Sequence, residues 1–130
     1  MGDSRQTVVV VDDNATVRAL FERSTENLAL DLISFGTADA AIAYLTDNKP
    51  NLLFLDIIMP DKDGLTFLSE LRKLPLHRDT SVIMITSKDY AQDRTVANEL
   101  GALDFIIKPM PMRAITDIIL LHINKENPYN

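Results

Sequence analysis

The chain has 130 residues, a length that suits one domain, and its 46% hydrophobic and 25% charged residues are ordinary values for a globular protein. With 4 Gly, 6 Pro and no Cys, the composition excludes a collagen-like fibre, disulfides and thiolate metal sites. The formal net charge of −6 argues against a surface that binds nucleic acid and against a polybasic membrane contact. No apolar run reaches the ~20 residues that span a bilayer. We therefore expect a cytoplasmic protein.

Five short segments of the chain are typical of β-strands. Four of them are apolar runs bounded by polar residues, a pattern that suits strands buried on both faces of a parallel sheet. The remaining segment, the second along the chain, is more mixed and is expected at a sheet edge. In chain order the segments are Val8–Val11, Asp31–Phe35, Leu52–Leu55, Val82–Ile85 and Phe105–Ile107.

A helical pattern follows each predicted strand, because apolar residues recur there at the spacing of one helix face. The first face is marked by Val17, Leu20, Phe21, Ser24 and Leu28, of which Ser24 is the one polar member. The second is marked by Ala38, Ala41, Tyr44 and Leu45, and the third by Leu65, Leu68 and Leu71, with Phe67 and Leu74 beside them. The fourth is marked by Val96, Ala97 and Leu100, and the fifth by Ile115, Ile118, Ile119 and His122. Gly101 is predicted to end the fourth helix. The alternation of strands and helices predicts an α/β fold, with a parallel sheet covered by helices on both faces.

We expect one domain over residues 1–124 and a polar tail over residues 125–130, since the tail contains Pro128 and has no partner strand or helix. The chain has two histidines. His77 lies in a Pro-flanked loop and His122 near the end of the last helix, and both are expected at the surface.

Polar side chains follow four of the predicted strands at their carboxyl ends. In chain order these residues are Asp12 and Asp13, Asp56, Thr86 with Ser87, and Lys108. Ligands of open α/β sheets bind beyond these strand ends. Crowded carboxylates repel one another, and Mg²⁺, which prefers oxygen ligands, would relieve that repulsion. A carboxylate beside Mg²⁺ is a reasonable nucleophile toward phosphorus, with a lysine and a hydroxyl to contact the phosphoryl oxygens.

Each of these residues also has a purely structural interpretation. Asp12-Asp13-Asn14 can begin a helix, because Asp and Asn are favoured caps and acidic residues suit the first turn. Asp56 can be an ordinary strand end. Thr86 or Ser87 can cap the fourth helix, and Lys108-Pro109 can be a solvated turn. The functional interpretation rests on the joint occurrence of all four groups at the same ends of their strands.

Taken in this order and spacing, the motifs resemble those of the response-regulator receiver domain, the CheY-like family. The resemblance covers about residues 7–124. It is carried by VVVVDDN at 8–14, LDIIMPDKDG at 55–64, ITS at 85–87 and GALDFIIKP at 101–109. The fold it implies is a flavodoxin-like (βα)5 domain whose five-stranded parallel sheet has the order 2-1-3-4-5.

The resemblance implies a chemical role for the residues at this edge of the sheet. Asp56 matches the phosphoacceptor. Asp12 and Asp13 match the acidic pair that holds Mg²⁺ together with Asp56, and the backbone carbonyl of Ile58 matches a further metal ligand. Lys108 matches the phosphate-binding lysine, and its bond to the following proline matches the family's cis peptide.

The resemblance also implies a switch and a control of its lifetime. Thr86 matches the hydroxyl residue that moves toward the phosphoryl group, and Phe105 matches the aromatic residue that turns inward when this happens. The side chains of Ile58 and Lys88 match the two positions that flank the path of the water that hydrolyses the phosphorylated aspartate.

The implied function is that of a phosphorylation switch in two-component signalling. A sensor histidine kinase or a phosphotransfer protein would supply the phosphoryl group from a phosphohistidine. The face formed by the fourth helix, fifth strand and fifth helix would then contact a downstream effector, a covalently linked output domain or a second copy of the chain in a homodimer. We do not expect an enzyme with an external substrate.

The same residues bear on three other functions. A haloacid-dehalogenase-type phosphatase needs a second Asp two positions after its nucleophile, where this chain has Ile58. A dinucleotide-binding domain needs a Gly-rich turn after the first strand, where this chain has Asp12-Asp13-Asn14. The alternative that stays open is a receiver fold used as a phosphorylation-independent interaction module, although such variants usually lose an acidic residue or the lysine.

Overall fold

A computed structural model describes residues 5–126 of the chain, and strands alternate with helices throughout this range. The elements in chain order are β1 (Gln6–Val11), α1 (Ala15–Thr25), β2 (Leu30–Phe35), α2 (Ala38–Leu45), β3 (Leu52–Asp56), α3 (Gly64–Arg72), a short 3₁₀ turn (Pro75–His77), β4 (Val82–Thr86), α4 (Ala91–Glu99), β5 (Asp104–Ile107) and α5 (Met112–Glu126). Each predicted strand and helix is therefore present.

The five strands form one parallel sheet with the order β2-β1-β3-β4-β5, which confirms the predicted topology. The mixed strand β2 lies at an edge as expected, whereas β3 and β4 are buried along their whole length. Val11 of β1 lies opposite Leu55 of β3, so the residues that follow them, Asp12 and Asp56, reach the same level of the sheet. The register alone thus brings two of the predicted site residues side by side.

The sheet separates two apolar cores, because successive residues of a strand point to opposite faces. One core joins Val9, Leu53 and Met84 to the helices α2, α3 and α4. The other joins Val8, Phe54, Ile83 and other alternate strand residues to α1 and α5. Because helices pack on both faces of the sheet, the central strands β3 and β4 are buried from solvent. This packing sets the position of their carboxyl ends.

Three helix predictions need correction. Helix α1 ends at Thr25, so Leu28 lies beyond the helix, although its side chain still packs against the core between α1, α5 and the sheet. Val96 is exposed, because α4 buries only Ala97 among its residues. Helix α5 continues to Glu126, two residues into the predicted tail, and residues 127–130 lie outside the described range.

Both histidines are buried, so the prediction of surface positions is wrong for each. His77 is fully buried, and its ring nitrogens lie 2.8 Å from Thr80 Oγ1 and 2.6 Å from the Leu45 carbonyl oxygen. His122 is 7% exposed on the inner side of α5, with Nε2 3.6 Å from Asp104 Oδ2. Polar residues in loops and near helix ends are usually exposed to solvent. Here the tertiary packing buries both histidines instead.

Within residues 5–126, no helix is both long and apolar enough to cross a membrane.

Candidate functional site

Three carboxylates meet at the carboxyl end of the sheet. Oxygen atoms of Asp12, Asp13 and Asp56 all lie within 4.8 Å of one another. The first and third are buried, with Asp56 at 2% exposure, whereas Asp13 faces solvent. The burial follows from position, because Asp12 directly follows β1 and Asp56 is the last residue of β3, at the same level of the sheet.

Lys108 lies between the two buried carboxylates. Its Nζ atom is 2.8 Å from Asp12 Oδ2 and 3.5 Å from Asp56 Oδ2, and its side chain is 17% exposed. The peptide bond to Pro109 is cis, as the resemblance implies. The interpretation of Lys108-Pro109 as a solvated turn is therefore wrong. The lysine instead supplies a cation that partly compensates the two buried acids.

The electrostatics of the site are dominated by burial. Burial raises the pKa of Asp56 to about 7, and the nearby Asp12 charge adds to this, while Lys108 and the Ile58 N–H act in the opposite direction. Burial alone would lower the pKa of Lys108, but its contacts with Asp12 and Asp56 outweigh burial and raise that pKa above its ordinary value. The site therefore holds more negative charge than its one lysine comfortably balances.

The carboxylates fit a hard divalent cation such as Mg²⁺. Asp12 Oδ2 is fully buried, and its close partner among the described side chains is Lys108 Nζ at 2.8 Å. An all-oxygen donor set in which one carboxylate faces solvent suits Mg²⁺, which keeps several of its waters. Asp12, Asp13 and Asp56 would hold the ion.

At the start of α1, the capping role belongs to Asn14 and not to the acidic pair Asp12 and Asp13. Asn14 Oδ1 accepts hydrogen bonds from the N–H groups of Thr16 at 2.8 Å and Val17 at 3.3 Å, so Asn14 is the cap of this helix. Asp12 Oδ1 accepts the Asn14 N–H at 2.9 Å, outside the helix. The capping interpretation thus holds for Asn14 and leaves the carboxylates of Asp12 and Asp13 for the cluster.

Thr86 ends β4 as a fully buried residue, and it does not cap α4. Its hydroxyl donates to the Lys88 carbonyl and accepts from the Lys88 N–H, both at 3.1 Å. Helix α4 begins five residues later, after Tyr90, without a side-chain cap. The hydroxyl therefore holds the first turn of the β4–α4 loop, and the Lys88 side chain extends outward from that loop into solvent.

Ile58 lies next to Asp56 with its side chain 49% exposed. Its backbone N–H approaches Asp56 Oδ1 at 3.4 Å, a long hydrogen bond to the carboxylate. The Ile58 side chain belongs to neither apolar core and lies beside the polar site.

Phe105 of β5 is half-buried, and no sequence pattern indicates the residue that covers it. The guanidinium carbon of Arg94 lies 4.5 Å from the centroid of the Phe105 ring. Arg94 also pairs with Asp89, through Nε to Oδ1 at 2.6 Å and Nη2 to Oδ2 at 3.1 Å. Neither Arg94 nor Asp89 belongs to a recognisable motif, so only the fold reveals their connection to Phe105.

Two further residues brace the loops around the carboxylates, and both were missed at the level of sequence. Asp61 Oδ2 accepts the N–H of Ala38 at 3.0 Å, so a residue of the β3–α3 loop supplements the Thr37 cap of α2. Arg18 Nη1 donates to the Asp12 carbonyl oxygen at 2.8 Å. An Asp that follows a Pro indicates only a turn. The structure is needed to show that Asp61 accepts the N–H of Ala38, 23 residues earlier.

Comparison with known proteins gives a consistent result. A family model described as the response regulator receiver domain matches residues 8–120. The cyclic di-GMP phosphodiesterase response regulator RpfG of Xanthomonas campestris is 36% identical over 110 residues, which make up 83% of this chain and 29% of RpfG. Protein PilG of Pseudomonas aeruginosa is 29% identical over 121 residues, which make up 93% of this chain and 90% of PilG. The chain thus spans under a third of one relative and nearly all of the other.

Solved structures share the fold. The receiver domain protein (CheY-like) of Methanospirillum hungatei superposes with a TM-score of 0.87 over 98% of this chain and 100% of that one, at 22% identity. The signal receiver domain of the putative LuxO repressor protein of Vibrio parahaemolyticus gives a TM-score of 0.84 over 94% and 92% of the two chains, at 26% identity.

Proposed function

This chain belongs to the response regulator receiver domain family, and from that premise we propose that it accepts a phosphoryl group on Asp56 and passes the signal on through a change in its surface. The observation that carries the proposal is the buried Asp56 carboxylate, which adjoins two further acids and lies 3.5 Å from the Lys108 ammonium. Receiver domains are signalling modules of two-component systems, so we propose that the chain acts as a switch rather than as an enzyme with its own substrate.

Asp56 is the best candidate for the acceptor among the three clustered carboxylates. Asp12 Oδ1 already accepts the Asn14 N–H, and its other oxygen lies in close contact with Lys108. Asp13 is exposed and has no neighbouring cation in the described site. Asp56 has a long hydrogen bond to Ile58 and a long contact with Lys108, which leave it the least constrained of the buried pair.

The proposed transfer takes place from a phosphohistidine of a sensor histidine kinase or a phosphotransfer protein. An oxygen of Asp56 attacks phosphorus, and the P–N bond breaks as the P–O bond forms. The electron pair of the P–N bond stays on the imidazole, which leaves as the neutral base because its other ring nitrogen already carries a proton. Lys108 would contact a phosphoryl oxygen and stabilise the charge on it. When bound, Mg²⁺ would offset the charge of the phosphoryl oxygens.

The proposed readout uses Thr86 and Phe105. Moving the Thr86 hydroxyl toward a phosphoryl group on Asp56 requires it to leave Lys88, which rearranges the β4–α4 loop. The Phe105 ring would then turn toward the vacated space and alter the face of α4, β5 and α5. That face would bind an effector protein, a linked output domain or a second copy of this chain.

The alternative of a phosphorylation-independent interaction module has less support. Burying the two acids and most of the Lys108 side chain costs free energy, and a module that takes no phosphoryl group has no need for them. The chain keeps all five of the residues that the resemblance assigns to phosphate chemistry, namely Asp12, Asp13, Asp56, Thr86 and Lys108.

Intact-mass spectrometry after incubation with Mg²⁺ and a small phosphodonor tests the proposal. The protein should gain one phosphoryl group that is stable in acid and labile in base, and Asp56→Asn should gain none. Asp47→Asn, an exposed aspartate in the turn after α2, is the matched control and should be modified like the unaltered protein. Equal modification of Asp56→Asn would overturn the assignment.

A further inference from the structure

Arg94 is the charged residue that covers the Phe105 ring, and Asp89 fixes its position. The guanidinium carbon lies 4.5 Å from the ring centroid, within the range of a cation–π contact. Its two hydrogen bonds to the Asp89 carboxylate, at 2.6 and 3.1 Å, hold the guanidinium in one orientation. The three side chains therefore form one chain of contacts, from carboxylate to guanidinium to aromatic ring.

These contacts join the three elements that surround the proposed switch. Asp89 lies in the β4–α4 loop, Arg94 lies in α4, and Phe105 lies in β5 opposite Met84 of β4. Arg94 and Phe105 also line a cleft of about 160 Å³ between α4 and β5, together with Ala97 and Leu103. The ring is thus held at the α4 side of its strand.

The Asp89 end of these contacts is coupled to Thr86. The Thr86 hydroxyl makes both of its hydrogen bonds to the backbone of Lys88, the residue directly before Asp89. Movement of Thr86 toward Asp56 would break those bonds and displace the segment that carries Asp89. The same movement that frees space for the Phe105 ring would then loosen the contact that holds the ring outside that space.

We propose that Arg94, positioned by Asp89, is a latch that keeps Phe105 in its described position and thereby opposes the switch. The proposal rests on the proposed function of Asp56. A contact made in only one of two conformations shifts their ratio by its own free energy. A solvent-accessible cation–π contact would favour the described conformation by about two- to five-fold. By reciprocity, releasing the latch tightens the binding of a phosphoryl mimic by up to that factor.

Beryllofluoride, which imitates a phosphoryl group on a carboxylate in the presence of Mg²⁺, is the probe that tests the latch. Its affinity would be measured by NMR titration of protein carrying ¹³C-labelled phenylalanine rings, with the Phe105 signal assigned through Phe105→Leu. The variants are Arg94→Ala, Asp89→Ala, the double variant and Arg94→Lys. Arg113→Ala is the matched control, because that arginine is 91% exposed and only loosely paired with Asp117.

The latch predicts that Arg94→Ala and Asp89→Ala each bind beryllofluoride about two- to five-fold more tightly, and that the double variant gains no more than either. The Phe105 ring signal of both variants should shift toward its beryllofluoride-bound position before any probe is added. Arg94→Lys, which keeps the cation but loses the two-point contact with Asp89, should fall between Arg94→Ala and the unaltered protein, and Arg113→Ala should match the latter.

Two negative results separate the latch from the proposed function. If the unaltered protein binds beryllofluoride and Arg94→Ala binds it equally well with an unshifted Phe105 signal, the latch is wrong and Asp56 stands as acceptor. If the unaltered protein fails to bind beryllofluoride in excess Mg²⁺, the function proposed for Asp56 is wrong and the latch falls with it.

Discussion

A Cβ atom on Gly64 would lie 2.0 Å from the carbonyl oxygen of Asp56 and 2.8 Å from the Cα atom of Ile57. The Gly64 N–H donates to the Ile57 carbonyl oxygen at 2.7 Å, so the first residue of α3 presses against the backbone that carries the proposed phosphoacceptor. Gly64 is not at positive φ, which among the described residues is found at Gly101. A close approach of two backbone segments, rather than an unusual backbone angle, requires glycine here.

Gly64→Ala should therefore destabilise the protein strongly, by about 3 kcal/mol, the upper end of the usual cost of overpacking. Backbone atoms cannot move aside as a flexible side chain can. Gly36→Ala is the matched control, because its Cβ would meet only the Arg18 guanidinium at 3.1 Å, and its cost should stay below about 1 kcal/mol. Urea denaturation gives both values, and similar midpoints for the two variants would contradict the close approach.

The raised pKa of Asp56 predicts a specific pH dependence of stability in Mg²⁺-free buffer. Asp56 titrates near 7 in the folded chain and near ~3.9 in an unfolded one. Between these values the folded state binds more protons, so the contribution of Asp56 to the free energy of unfolding falls as pH rises from about 4 to about 7.

Asp56→Asn removes this loss. The variant should match the unaltered protein near pH 4 and exceed its free energy of unfolding by on the order of 3 kcal/mol above pH 7. Denaturation series across this pH range measure the difference, and Asp47→Asn, which replaces an exposed aspartate, is the matched control. Stability curves that run parallel for the unaltered protein and Asp56→Asn would show that Asp56 titrates normally.

The two buried histidines should respond oppositely to replacement by leucine. His77 bonds through both ring nitrogens, and His77→Leu leaves the Leu45 carbonyl and the Thr80 hydroxyl without their partner, at a cost of about 2–4 kcal/mol. Neither ring nitrogen of His122 has a hydrogen-bond partner in the described part of the chain. His122→Leu should be neutral or stabilise the protein by about 1 kcal/mol. Thermal melts of the two variants test this contrast. Equal losses of stability would mean that the burial of the ring, and not its hydrogen bonds, sets the cost of replacing it.

The lifetime of the phosphorylated protein should depend on the side chain at Ile58. This residue is half-exposed beside Asp56, is stiff at its β-branch and offers an attacking water no hydrogen bond. Ile58→Asn should speed dephosphorylation several-fold, which is roughly 1 kcal/mol or less of the barrier.

Lys88 follows the loop residue Ser87 and is exposed, and the resemblance places its side chain beside the path of the attacking water. If its ammonium group shields a phosphoryl oxygen, Lys88→Ala should also shorten the lifetime. A decay time course in Mg²⁺ without a kinase compares the two variants with the unaltered protein. Equal decay rates in all three would show that neither side chain controls access of the water.

Much of the fold could be predicted from local pattern. The apolar runs that end in Asp12, Asp56 and Thr86 are long enough and continuous enough to specify buried parallel strands, and strand direction then places their polar ends together. The order of the strands came from the resemblance, because alternating strands and helices are compatible with several orders.

The sequence was less informative where contacts are distant and have no motif. His77 is buried because the end of α2 and the turn before β4 converge on it, which no local pattern near His77 indicates. The connection from Asp89 through Arg94 to Phe105 joins residues on a loop, a helix and a strand. Charged residues on a helix usually indicate a solvated face, so Arg94 could not be distinguished from its neighbours.

The central claim is tested most directly by locating the phosphoryl group. Borohydride reduces an acyl phosphate to the alcohol, so a phosphorylated aspartate becomes homoserine and can be identified by peptide mass spectrometry. After incubation with Mg²⁺ and a small phosphodonor, homoserine should be found at position 56 alone, with Asp12, Asp13 and Asp61 unchanged. Homoserine at one of those other positions, or at none, would contradict the assignment of Asp56 as the phosphoacceptor.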